Sequence, residues 1–445
     1  MLTLALSSVR RRPGRFVSTL LAAFLGAAIV MAFSSLHDTA GADGVDDVSA
    51  ETLGITAGVV GGYGSLLVFF AVASTLTVTV RQRAGELELL RSAGATPAQL
   101  TRMVVGEAAV VGLVGAVAAV GPAALGGRLL VERFRDSGQV AGDVGHVFGP
   151  IGLMSGMGVT LLASVGAAFL AVRRGRGRSA GARAPRGRVR TVAGVVALVA
   201  GAAGVCTTFA LDATEPALMA PAAYGSILLA LGLASFSPVL LRALPARLQP
   251  LPGALGGAAG ELAAHNLRQR AAQASGVLMP LILFTGMATA TLYMQAAESD
   301  ARAASGLVKS VDDKNLETVN LVVVGVIVAF CCVMLVNSLY AATSYRGREF
   351  AQQRLCGATP GQVLRTVGAE GLVLLVTGVF LGTAAGLAGL VPYCLVRADR
   401  ALPQAGPGIW LGVVAVAAVA TLVTGLGTAG RMLRTPAVRA VGAGA

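Results

Sequence analysis

Ten stretches of this 445-residue chain contain no Asp, Glu, Lys or Arg, and none is shorter than 20 residues. They are 16–37, 52–80, 108–127, 144–172, 191–211, 216–241, 271–297, 318–345, 371–396 and 401–430. A helix needs about 20 apolar residues to cross a bilayer. Lipid offers the backbone no partner, so only helices or closed barrels can span it. The stretches are too long and too uniformly apolar for barrel strands. The expected fold class is therefore an all-α polytopic membrane protein with ten transmembrane helices. One more charge-free run, 248–260, is short and holds Pro250, Pro252 and four glycines, so it reads as a loop.

Charge placement fixes the expected orientation. With both termini in the cytoplasm, 27 of the 35 basic residues fall in cytoplasmic segments, against six of the 22 acids. This is the positive-inside pattern of a bacterial inner-membrane protein. The linker from Arg173 to Arg190 alone carries eight arginines. The net charge of +13 thus faces the lipids of the cytoplasmic leaflet, not nucleic acid. The first stretch follows Arg10, Arg11, Arg12 and Arg15 and could be a cleaved signal, but nine further spans favour an uncleaved first helix. The spans hold no charged side chain, whereas ion-coupled carriers keep ionisable groups at membrane depth. The five cysteines, Cys206, Cys331, Cys332, Cys356 and Cys394, show no metal-site spacing and read as inert buried thiols.

An internal repeat carries the functional signal. Residues 83–107, RAGELELLRSAGATPAQLTRMVVGE, match residues 346–370, RGREFAQQRLCGATPGQVLRTVGAE, at 11 of 25 positions with a constant offset. The shared residues include Arg83/Arg346, Glu86/Glu349, Arg91/Arg354, Gly94/Gly357, Ala95/Ala358, Thr96/Thr359, Pro97/Pro360, Gln99/Gln362 and Glu107/Glu370. Each copy predicts a short helix ended by a left-handed glycine. A threonine N-cap, a proline at the first helical position and a glutamine completing a capping box then open a second helix. Two plain turns would need the caps, but not the same Glu and Arg positions. Upstream, LALSSVRRR (4–12) and LAAHNLRQR (262–270) both read as amphipathic helices at the cytoplasmic interface. The expected organisation is a first four-span repeat over 1–172, a basic linker with two connecting spans over 173–259, a second four-span repeat over 260–430, and a cytoplasmic tail, 431–445. The two repeats run parallel, a pseudo-dimer within one chain.

These residues resemble the hallmark of the FtsX-like (MacB-type) permease family, R-x-R-E-x-x-x-L-R-x-x-G-A-T. Here it reads Arg81-Gln82-Arg83, Glu86, Leu90-Arg91 and Gly94-Ala95-Thr96, and again Arg346, Arg348, Glu349, Arg354 and Gly357-Ala358-Thr359. The second copy departs at Gln352, Gln353 and Cys356, which implies two docking sites that are not equivalent. The resemblance implies that two copies of a cytosolic ABC ATPase bind ATP and Mg and dock on residues 81–99 and 344–362. Glu86 and Glu349 would then pair with ATPase side chains, and this chain would bind no cofactor. No Walker A motif and no catalytic constellation occurs, so the chain is not expected to be an enzyme. The external loops, 38–51 and 298–317, are short and acid-rich; they are either solvated loops or a landing site for an external protein or peptide. Three functions stay open: export of a hydrophobic or amphipathic compound such as a peptide, antibiotic or lipid; mechanotransmission to a cell-wall enzyme or sensor kinase; and ATP-independent carriage.

Overall fold

A computed structural model describes residues 17–82, 84–179, 186–213, 218–247, 250–304, 311–344 and 346–438. Among them there are helices and connecting turns and no strand. The first repeat comprises α1 (Val17–Ala40), α2 (Asp47–Thr56), a π-turn (Ala57–Gly61), α3 (Gly62–Gln82), α4 (Ala84–Ser92), α5 (Pro97–Asp136) and α6 (Pro150–Ser179). Then come α7 (Arg186–Thr207), α8 (Met219–Arg247) and α9 (Pro250–Gln269). The second repeat comprises α10 (Ala271–Ala304), α11 (Val311–Ser344), α12 (Gly347–Leu355), α13 (Pro360–Ala398) and α14 (Gly408–Leu433).

Eight helices among the described residues are long and apolar enough to cross a membrane, and they coincide with eight of the ten expected stretches. A ninth counts if 328–344 is joined to α12 across a 43° bend. The remaining stretch, 52–80, lies in the helical run α2–π-turn–α3 and is not among the eight. The described spans therefore number eight or nine where the sequence suggested ten. A multi-pass membrane protein follows.

Helices replace most of the expected loops. The run 248–260 is not a loop: α9 covers Pro250–Gln269, broken at Gly257 (φ 52°, ψ −140°). Prolines at 250 and 252 fit a helix start, where the amide hydrogens have no intrahelical partner anyway. The described parts of the arginine-rich linker are helix ends, since α6 reaches Ser179 and α7 opens at Arg186. Segment 4–12 lies outside the described residues. Its counterpart, 262–270, is helical and buries Ala263 and Leu267. Of the cysteines, Cys331 and Cys394 are buried, but Cys206 and Cys356 are exposed.

The repeats pack alike. α1 lies against α5 and α6 as α10 lies against α13 and α14, and α3 meets α6 as α11 meets α14. α1 and α3 face α11 across the middle, where Asn337 Nδ2 donates to Ser18 O at 2.7 Å. α8 joins the connecting pair to α10 and α13. The α10–α13 crossing is tight: a Cβ on Gly382 would sit 1.8 Å from Thr285 Oγ1 and 2.8 Å from Ile282 O. Without a hydrophobic force between helices in lipid, such close backbone approach is what small residues are used for. α5 and α13 hold 40 and 39 residues, about 60 Å each at 1.5 Å per residue, twice the hydrocarbon thickness. Pro122 and Pro392 lie inside them, towards the end away from α4 and α12.

That far end is stapled by the acids expected to form an open surface. Asp38 accepts from Ile151 N and Gly152 N, capping α6 at 3.0 and 2.7 Å. Asp46 caps α2 through Ser49 N. Glu298 accepts from Arg397 at 2.8 and 2.9 Å and from Tyr393 Oη at 3.1 Å, and Asp300 accepts from Gln404 N. Gly382→Val will force α10 and α13 apart, an overpacking cost of about 1–3 kcal/mol. Its thermal midpoint in detergent should fall well below that of Gly412→Ala, whose Cβ meets nothing within 4 Å.

Candidate functional site

The doubled motif folds as a corner between two helices, and both copies have the same bonds. α4 ends with Gly94 at φ 94°, and α12 with Gly357 at φ 96°. Ala95 N donates to Leu90 O and Gly94 N to Arg91 O, both at 3.0 Å. Ala358 N to Gln353 O and Gly357 N to Arg354 O repeat this at 3.0 Å. This paired closure is a Schellman motif, and it requires the left-handed residue that glycine supplies without strain. Two residues later the next helix is capped reciprocally. Gln99 N donates to Thr96 Oγ1 at 3.3 Å and Thr96 N to Gln99 Oε1 at 2.8 Å. Thr359 and Gln362 repeat both distances. Pro97 and Pro360 occupy the first helical positions. Each corner thus satisfies one helix end and the next helix start between Leu90 and Gln99, or Gln353 and Gln362, which leaves little freedom to flex.

The second corner is further tied to the bundle by an ionic clamp. Arg346, at the start of α12, donates through Nε and Nη2 to Glu349 at 3.1 and 3.2 Å. It donates through Nη1 and Nη2 to Glu370 on α13, the latter at 3.0 Å. Arg270, between α9 and α10, donates to Glu349 through Nη1, and Asn266 Nδ2 donates to Glu370 Oε1 at 2.9 Å. Four helices therefore meet on one four-charge network. The Arg346 guanidinium also lies 5.1 Å from the Phe350 ring centroid. Phe350 is buried in a small core with Val363, Val367, Ala429 and Leu433. Arg354 Nη1 donates to Leu433 O and Thr435 O at 3.0 and 2.9 Å, meeting the open carbonyls at the end of α14.

Glu349 was expected to reach a partner's side chain. Within the chain, both of its oxygens are already bonded. Burial pushes its pKa up, but hydrogen bonds and charge from Arg346 and Arg270 outweigh burial and hold it below the usual carboxylate range. The network's other members were legible only in part. Glu370 was visible as a repeat match, while Asn266 and Arg270 sat unremarked in the HNLRQR segment.

The first corner presents a different surface. Arg83 lies outside the described residues. Glu86 is half-buried, and Arg91 is exposed in the last turn of α4. Leu89 and Leu90 are 71% and 42% exposed, where the second copy has Gln352 and Gln353. Glu88 is exposed where Ala351 is buried, and Leu87 half-buried where Phe350 is buried. The two corners thus differ in the side chains they expose. Glu107, the counterpart of Glu370, is 2% exposed. Among the described residues no three His, Cys, Asp or Glu side chains converge as a metal site would need.

Residues 58–180 and 321–437 each match the FtsX-like permease C-terminal family model, together more than half of the chain. Each matched segment contains one corner with helix on both sides of it. No curated protein matches the chain.

Two outcomes check the clamp. Glu370→Ala leaves Arg346 with Glu349 as its carboxylate partner and takes the acceptor from Asn266 Nδ2, a loss of about 1–3 kcal/mol. Hydrogen exchange across 346–356 should rise, and the effect should be non-additive with Arg346→Ala. Acid should act through Glu349: with a lowered folded pKa, its stabilising contribution is complete above the unfolded value of about 4.3. It is lost as pH falls through the lower folded value. Protection of α12 should fall in that window in the wild type and stay flat in Glu349→Gln.

Proposed function

We infer the function from one premise: this chain belongs to the FtsX-like permease family. It is accordingly a membrane permease component of an ABC-type system, and its ATPase is a separate cytosolic protein. Beyond that, we read the two corners as the docking sites for two copies of that ATPase, which binds ATP and Mg. Both corners and both termini then lie in the cytoplasm, in a bacterial inner membrane. Rotation imposed on a corner passes directly into α5 or α13, because each corner is rigid and continuous with a helix longer than the bilayer is thick. That continuity is the observation that carries the reading.

The cargo is a hydrophobic or amphipathic compound (a peptide, antibiotic or lipid) exported by mechanical coupling. Mechanotransmission to an outer enzyme or sensor kinase needs a contact surface at the far end. Asp38, Asp46, Glu298 and Asp300 are already bonded inside the chain, which favours export.

Within each docking element, Arg91, Gly94, Ala95, Thr96 and Pro97, like Arg354, Gly357, Ala358, Thr359 and Pro360, build and hold the corner. The surface offered to an ATPase is led by α4, with Leu89, Leu90 and Glu86. Charge reversal at Glu349 would break the clamp and confound a docking test, so the informative variant is Leu89→Glu with Leu90→Glu. Purified from its native host in mild detergent, the wild type should retain an ATP-hydrolysing subunit. The double variant should keep its thermal midpoint but lose that subunit. Retention of the ATPase by the variant would remove α4 from the docking surface, and absence of any ATPase from the wild type would sink the reading.

A further inference from the structure

A cavity of about 130 Å³ opens beside the ionic clamp, between α9, α10, α11, α13 and α14. Its chemistry is graded along its length. At the end near α12 it is lined by Arg270, Arg346, Glu370 and Asn266. Two turns further along α10, and one turn along α13, the walls are Val277, Leu374 and Leu422. Between these zones lies Thr421, 2% exposed, whose Oγ1 has no hydrogen-bond partner. A buried hydroxyl without a partner is costly and calls for one. Thr421 is level with Gly371, one residue beyond Glu370, because a Cβ on Gly371 would lie 3.9 Å from Thr421 Cγ2.

The two arginines differ in what they have left to give. Arg346 makes four hydrogen bonds to Glu349 and Glu370. Arg270 makes one, to Glu349, and keeps 38% of its side chain exposed at the cavity mouth. A guanidinium carries five N–H donors, so most of those on Arg270 are available to an anion. The volume approaches that of apolar protein cavities of about 150 Å³ that take up benzene or xenon. It is too small for a drug-sized ligand, for which sites start at about 300 Å³. It suits one end of an alkyl chain with the rest of the molecule outside.

We propose that this cavity seats one acyl chain of an anionic phospholipid from the leaflet on the α12 side. The phosphate meets Arg270, the ester carbonyl accepts from Thr421 Oγ1, and the chain lies between Leu374, Val277 and Leu422. Order along the cavity matches order along the lipid: anion, ester, hydrocarbon. The phosphate takes the donors that Glu349 leaves unused, so lipid and clamp share Arg270. The site does not depend on a partner ATPase, so its failure would leave the docking reading standing.

The test uses delipidated full-length protein in detergent, with the thermal midpoint followed against added ligand. Dioctanoyl phosphatidylglycerol should raise the midpoint saturably, and glycerol 3-phosphate should not. Gly425→Phe fills the cavity from a position where a Cβ meets nothing within 4 Å, and should abolish the response. Gly427→Phe, equally unobstructed but outside the cavity, should leave it intact. Arg270→Gln and Thr421→Val should each weaken the lipid's apparent affinity, Arg270→Gln about tenfold. An unchanged response in Gly425→Phe overturns the proposal. If that variant does not fold, an unchanged affinity in Arg270→Gln overturns it equally. An equal response to glycerol 3-phosphate would make the site one for free phosphate and would also overturn it.

Discussion

A chain in a bilayer cannot change direction there, because lipid offers no partner to the amide and carbonyl groups that a turn exposes. All turning is displaced to the ends, where each helix leaves four donors or four acceptors open. This constraint shapes everything described above. Both corners satisfy the closing groups of one helix and the opening groups of the next with short-range bonds alone. At the opposite face the same demand is met by carboxylates, as Asp38 on α6 and Asp46 on α2 show. Rigidity at the corners is thus a by-product of satisfying the backbone at the membrane edge.

The repeats share a skeleton but not an attachment. α12 is tied down four ways, through Glu349, Phe350, Arg354 and the Arg346–Glu370 pair. α4 packs on the helices before and after it and offers leucines outward. A pseudo-symmetric pair in which one foot is anchored and the other presents apolar surface has a built-in direction. A symmetric ATPase dimer on such a pair would meet two different loads.

Much of this was legible from the residue order, and the parts that were not share one cause. Charge-free stretches located the spans, and Gly94, Thr96, Pro97 and Gln99 specified their corner in full, because those signals act within a few residues. Pro250 and Pro252 pointed wrongly to a loop, since the same residues serve helix starts. The intrachain bonds of Glu349 were hidden for another reason. Its partner Arg270 lies 79 positions upstream, and a single sequence carries no record of such distant pairings. Likewise the acids of 38–51 and 298–317 read as surface charge, when Arg397 and the start of α6 claim two of them, Glu298 and Asp38.

The prolines in α5 and α13 give the two halves different gearing. A proline removes one rung of the hydrogen-bond ladder and weakens a helix as a rod. Measured from the corner, the unbroken shaft runs from Pro97 to Pro122 in one repeat and from Pro360 to Pro392 in the other. At 1.5 Å per residue these arms are about 38 and 48 Å. Equal tilts at the two corners therefore sweep the arm tips through distances in a ratio of about four to five. The more tightly anchored corner, that of α12, thus carries the longer arm.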